Sequence, residues 1–68
     1  MSEILKSRFE KSIGKIAKVF LNNGFKFEGT ITGVDETYVE ILEGKGYKII
    51  KLEDISDVDI ERGDDDGS

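Results

Sequence analysis

The 68-residue sequence contains no cysteine, histidine, proline or tryptophan. Without cysteine it has neither a disulfide nor a thiolate, and without histidine it has no imidazole to bind a metal or move a proton. The acidic pairs Asp35-Glu36 and Glu53-Asp54 fall in predicted turns, and their spacing is not typical of a general acid/base pair. We therefore expect no enzymatic activity, no metal and no cofactor.

Long apolar runs are also missing. No stretch approaches the length of a membrane-spanning helix, and the first residues lack the apolar segment of a signal peptide. Together with the absence of cysteine, this predicts a soluble, cytoplasmic protein without a membrane partner. A domain this short buries only about 60% of its unfolded surface, so it needs very efficient packing or oligomerisation to be stable.

Positive charge is scarce, with 10 lysines and arginines against 15 acidic residues and a net charge of −5. This balance disfavours a broad electrostatic surface for nucleic acid. Much of the acidic excess, however, lies at the end of the chain, where Glu61 and the run Asp64-Asp65-Asp66 carry four negative charges against Arg62 alone. We predict one domain over residues 1–61 and a disordered acidic tail over residues 62–68, which leaves room for a basic patch on the domain.

Apolar and polar residues alternate with period two in five short segments, separated by turn residues such as Asn22-Asn23-Gly24. The alternation predicts strands over residues 16–21, 25–34, 37–42, 47–52 and 57–60. A short helical turn is expected over residues 53–56, and the paired isoleucines Ile49-Ile50 leave the buried face of the fourth strand open.

The second predicted strand has an unusual composition. Gly29 and Gly33 are expected on one face together with Phe25 and Phe27, which we predict to be core residues. Glycine inside a strand marks a bend, a bulge or a close approach of another backbone. The pattern therefore predicts an all-β fold, a five-stranded and strongly bent antiparallel barrel. Since no proline blocks its edge strands, strand addition from a second subunit is expected.

A helix is predicted before the strands, over residues 3–12. Its apolar stripe consists of Leu5, Phe9 and Ile13, widened by Ile4, and Gly14 is expected to cap its C-terminal end. This segment is the most basic in the chain and includes Lys11 and Lys15. Those cations either solvate the helix or form a rim that faces RNA or a partner.

One set of residues resembles the first motif of the Sm-like (LSm) superfamily in order and spacing: Leu21, Gly24, Phe27, Gly29, Ile31 and Asp35. Residues 50–55, IKLEDI, resemble the second motif. The resemblance implies an SH3-like Sm barrel with an N-terminal helix, a stand-alone archaeal Sm-like or Hfq-like protein, and a homo-oligomeric ring. The segments FEGTITGVDETYVEI and IKLEDISDVDI also resemble the C-terminal Sm-like domain of the ribosome maturation factor RimP, so the subfamily stays open.

The resemblance also locates a uridine pocket, and the sequence departs from it. Where the family has a stacking side chain, an asparagine and an Arg-Gly pair, this chain has Thr37, Val39 and Lys51-Leu52. Stacking contributes about 1–3 kcal/mol per base, so a uridine pocket of the family type would lose most of its affinity. Tyr38 is either a base-stacking platform or a cross-strand packing residue.

These observations lead to two alternatives. In the first, the chain is an RNA-binding ring that acts as a scaffold or chaperone in RNA metabolism. Its contacts would come from Thr37 and Val39 through their main chains, and from Tyr38, Lys51 and the helix-side cations Lys11 and Lys15. In the second, it is a ribosome-associated or protein-interaction adaptor that docks a partner through an edge strand without reading RNA.

Overall fold

The computed structural model describes residues 3–61. Its elements are α1 (Glu3–Glu10), β1 (Ile16–Leu21), β2 (Lys26–Val34), β3 (Tyr38–Glu43), β4 (Gly46–Lys51), a single 3-10 turn (Leu52–Asp54) and β5 (Ile55–Ile60). The predicted acidic tail, residues 62–68, lies outside the described residues. Within the described part of the chain, no helix is long and apolar enough to cross a membrane.

The five strands form one antiparallel sheet in the order β4-β3-β2-β1-β5. Strand β2 pairs with β1 through residues 26–30 and with β3 through residues 30–34, so its two halves have different partners that overlap at Thr30. A strand shared in this way has to bend sharply between its two partners. The observed architecture confirms the predicted all-β, strongly bent antiparallel fold with an N-terminal helix.

Gly29 permits this bend because it lies directly against β3. A Cβ atom at this position would overlap the carbonyl oxygen of Leu42 and lie 2.7 Å from Ile41 Cγ2. Only a residue without a side chain fits here. Of the three features that a glycine inside a strand indicates, the close approach of another backbone is thus observed at Gly29.

Gly33 does not lie on the face of the strand that was predicted for it. The register of β2 against β3 shifts between Ile31 and Gly33, because Thr32 is an extra residue in the ladder. This bulge changes the phase of the alternation. Val34 consequently packs against the core, while Gly33 lies opposite Glu40 on the other face.

The core lies between α1 and the inner face of the sheet. Its buried apolar residues are Phe9, Ala17, Val19, Ile31, Val39, Ile41, Ile50 and Leu52. Phe9 of α1 is completely buried in this core, and Leu5 of the same helix packs against it. Burying such a side chain stabilises the fold by about 1.5–3 kcal/mol, which attaches the short helix to the sheet.

One predicted core residue and two residues of the predicted helical stripe are exposed. Phe25 is 64% exposed, because burial decreases along β2 from Ile31 to the half-buried Phe27 and then to the hairpin end. Ile4 and Ile13 are also exposed. The helix ends at Glu10 instead of residue 12, so Ile13 lies beyond the last turn that packs on the sheet.

The C-terminal boundaries also differ from the prediction. The single turn begins at Leu52 instead of Glu53, and β5 begins at Ile55 instead of Asp57. Gly14 has a positive φ of 92°, but it ends the turn after α1 and does not cap the helix itself. In β4, Ile50 is the buried isoleucine, which resolves the face that the sequence left open.

Candidate nucleic-acid interface

The turn between β2 and β3 is held by one carboxylate. Asp35 Oδ1 accepts hydrogen bonds from the backbone N–H groups of Thr37 at 2.8 Å and Tyr38 at 2.7 Å. The N–H of Tyr38, then that of Thr37, lowers the pKa of Asp35 below its ordinary value; Lys6 lowers it further, and burial opposes the shift. The start of β3 is therefore fixed by a charge-assisted turn.

Tyr38 and Lys51 lie side by side as a cross-strand pair between β3 and β4. Next to them, the N–H of Leu52 donates to the carbonyl oxygen of Thr37 at 2.8 Å. The structure thus brings together three of the predicted site residues, Thr37, Tyr38 and Lys51. Tyr38 is 43% exposed and stands on the outward face of the sheet.

Val39, a fourth predicted site residue, is completely buried. In register it lies between Val34 of β2 and Ile50 of β4, so its side chain belongs to the core. The aromatic side chain across from Lys51 is Tyr38, one residue after the position at which the family resemblance locates the stacking group.

A cleft of about 310 Å³ opens beside Tyr38 and contains a residue that the sequence reasoning missed. Its lining consists of Gly33, Val34, Asp35, Tyr38, Val39, Glu40 and Ile49. Glu40 contributes a half-buried carboxylate, whose Oε1 accepts a hydrogen bond from the Thr32 hydroxyl at 2.9 Å. The alternation in Tyr38-Val39-Glu40 could have indicated that Glu40 shares the outward face with Tyr38.

Lys51 supplies the cation next to this cleft. Its Nζ lies 3.8 Å from Glu53 Oε2, and both side chains are exposed. Such surface ion pairs contribute at most about 1 kcal/mol, because water and salt screen them. A phosphate group can therefore displace Glu53 from Lys51 at little cost.

The two helix-side cations lie apart from this cleft. Lys15 lines a groove of about 630 Å³ between α1 and β5, together with Arg8. Lys11 lines a smaller cleft on α1, also with Arg8. The predicted site residues therefore fall into two groups, one around Tyr38 and Lys51 and one on the helix side. Among residues 3–61, no three acidic side chains are arranged to hold a metal ion.

An N-terminal helix on a sharply bent, five-stranded antiparallel sheet in this order defines the Sm-like barrel. The fold is similar to that of the pleiotropic translational regulator Hfq in its 1.55 Å crystal structure. The TM-score is 0.76 at 24% sequence identity, covering 88% of this chain and 94% of that chain. No protein-family model and no curated protein matches the sequence. The likeness shows the fold, and the archaeal, Hfq-like and RimP-like subfamilies stay predictions.

Proposed function

We propose that the protein is an Sm-like RNA-binding protein that forms a homo-oligomeric ring and acts as a scaffold or chaperone in RNA metabolism. The observation that carries this proposal is the pairing of Tyr38 with Lys51 beside an open cleft. An aromatic face for a base and a cation for the adjacent phosphate are the two elements that single-stranded RNA sites combine. The fold shared with a translational regulator supports the same proposal.

The proposed assembly is based on the two edge strands of the sheet, β4 and β5. In the described chain, β4 and β5 each pair with one strand only, so each leaves one edge with unpaired backbone groups. The edges carry opposite charge: β4 contains Lys48 and Lys51, whereas β5 contains Asp57 and Asp59. Pairing β4 of one subunit with β5 of the next joins complementary charges, and such head-to-tail contacts close into a ring when the rotation allows it.

Exposed apolar groups support this arrangement. Tyr47 and Ile49 are exposed on β4, and Ile49 is 58% exposed. On the other edge, the groove between α1 and β5 is lined by Ile4, Ile55 and Val58, among others. A neighbouring β4 would cover this groove and bury its own apolar side chains. The ring would also repeat the Tyr38–Lys51 site once per subunit, and linked sites bind one RNA strand more tightly than a single site.

RNA binding is tested by fluorescence anisotropy with labelled single-stranded oligonucleotides. We expect Tyr38→Ala to weaken binding at least about fivefold, since it removes a stacking contact worth about 1–3 kcal/mol per base. Tyr38→Phe keeps the ring and should retain most of the affinity. Lys51→Ala should weaken binding and flatten its salt dependence. The control Lys45→Ala removes the same charge in the β3–β4 turn and should leave binding unchanged.

Assembly is tested by sedimentation of an edge variant. Ile49→Glu adds a charge to the exposed edge strand and should give monomers. The matched control is Ile16→Glu, at a position that is 45% exposed on the interior strand β1, and it should leave the oligomer intact. Equal sedimentation of both variants as oligomers would count against the proposed edge pairing.

A second candidate function is an adaptor that binds a protein instead of RNA. The exposed Tyr47 and Ile49 on the edge strand β4 favour it, because extended peptides add to such edges through main-chain hydrogen bonds. The oligonucleotide titration separates the two candidates. A chain that binds no RNA at low salt, where electrostatic contacts are strongest, would favour the adaptor.

A further inference from the structure

The bulge in β2 fixes a carboxylate inside the cleft beside Tyr38. Because Thr32 is the extra residue, its hydroxyl lies 2.9 Å from Glu40 Oε1 and 3.2 Å from the Glu40 carbonyl oxygen. Oε1 is also close to Gly33, since a Cβ atom added to this glycine would lie 3.8 Å from it. Bulges next to functional sites often redirect a side chain in this way. Glu40 is therefore held in one place by its neighbours.

No cation of the described residues 3–61 pairs with this carboxylate. Among residues 3–61, Thr32 is the only side chain that bonds the Glu40 carboxylate, and the observed ion pairs join other residues. Glu40 is half-buried and lines the cleft, and no donor of the described chain bonds its Oε2. An ionised carboxylate only accepts hydrogen bonds. The cleft is thus suited to a ligand that offers donors at this point, and unsuited to a phosphate.

The four RNA bases differ in the donors that they can offer to a carboxylate. Guanine presents the N1–H and the N2 amino group side by side, which matches both oxygens of one carboxylate. Adenine and cytosine present a single amino group next to a ring nitrogen that accepts. Uracil presents N3–H between two carbonyl oxygens, which a carboxylate repels. Guanine is therefore the base that pairs best with Glu40.

We propose that Glu40 makes this cleft selective for guanine, an inference that rests on the RNA binding proposed above. A guanine stacks on Tyr38, its Watson–Crick edge donates to Glu40, and the phosphate next to it contacts Lys51. Thr32 acts as a positioning residue for the carboxylate. A site built around a hydrogen bond strongly rejects ligands that lack the matching group.

The test measures anisotropy for labelled uridine-rich RNA hexamers that carry one central guanosine, inosine, adenosine or uridine. Inosine keeps N1–H but lacks the N2 amino group. The wild-type chain should bind the guanosine RNA about tenfold more tightly than the inosine RNA. Glu40→Gln should weaken guanosine binding about tenfold and bring the guanosine-to-inosine ratio close to one. The matched control, Glu36→Gln, removes the same charge from the adjoining turn and should leave the ratio unchanged.

Thr32→Val provides a second variant in the same site. It removes the hydrogen bond that positions the Glu40 carboxylate, and it should lower the guanosine-to-inosine affinity ratio about threefold. Circular dichroism confirms that each variant folds. Equal binding of all four hexamers by the wild type, or an unchanged ratio in Glu40→Gln, overturns the selectivity while RNA binding stands. Failure of the wild type to bind any hexamer overturns the proposed function and this inference together.

Discussion

Gly29→Ala adds a methyl group where β2 lies against the backbone of β3. The new Cβ would overlap the carbonyl oxygen of Leu42 and lie 3.0 Å from its carbonyl carbon and 2.7 Å from Ile41 Cγ2. The Leu42 atoms belong to a backbone that is held in register by the pairs Thr30–Leu42 and Ile31–Ile41. The clash therefore cannot be relieved by rotating a side chain, and the two strands have to move apart.

The expected cost follows from this geometry. Overpacking destabilises proteins by about 1–3 kcal/mol, and a clash with backbone belongs at the upper end, so we expect about 3 kcal/mol. Domains are stable by roughly 0.05–0.15 kcal/mol per residue, or about 3–10 kcal/mol for a chain of this length. In so small a domain each kcal/mol lowers Tm by about 4–8 °C, so Tm should fall by about 12–24 °C.

The control is Gly46→Ala, which adds the same methyl group at a position where no described atom comes within 4 Å. Its free energy of unfolding should change by less than about 1 kcal/mol. Both variants are unfolded by heat and by urea under circular dichroism, at one protein concentration, because oligomerisation makes Tm depend on concentration. If the two variants unfold at the same midpoints, the close approach at Gly29 is refuted.

The remaining predictions concern pH and charge. The pKa of Asp35 is lowered on folding, so the carboxylate contributes stability above its unfolded pKa, and this contribution is lost as pH falls through the lower folded value. An NMR titration should therefore place the midpoint of Asp35 below that of an aspartate in a short peptide. Equal midpoints would contradict the two backbone hydrogen bonds that the Asp35 carboxylate accepts in the turn. Glu53→Gln releases Lys51 from its ion pair and should raise RNA affinity about twofold in the anisotropy assay, where a decrease would oppose the phosphate role of Lys51. Lys11→Glu with Lys15→Glu should weaken RNA binding and reduce the slope of log affinity against log salt by at least about 1.4. Unchanged affinity at low salt would show that the helix-side cations take no part.

Period-two alternation was sufficient to predict every strand of this fold, and β1 even matches its predicted bounds. For Gly29 the sequence left a bend, a bulge or a close backbone approach open, and the structure shows the close approach. Alternation identifies a face but does not say how far the core extends. For this reason it misassigned Phe25, which shares a face with Phe27 but lies at the hairpin end, beyond the buried part of the sheet.

The site was only partly predictable, because the bulge depends on tertiary pairing. Nothing in the local sequence shows that Thr32 is the extra residue, so the contact between Thr32 and Glu40 could not be predicted. The partner of Lys51 was equally hidden, since strand register decides whether Thr37 or Tyr38 lies across from it. Residue types thus indicated Tyr38 and Lys51 as candidates, while only the fold shows that they are neighbours.

Native mass spectrometry of the full chain, with and without a mixed-sequence single-stranded RNA, tests the central claim most directly. A homo-oligomeric ring that binds RNA predicts a mass that is a whole-number multiple of the 7.6 kDa chain, and a further increase by the mass of the RNA when it is added. A monomer mass that does not change on addition of RNA would contradict both the assembly and the RNA binding.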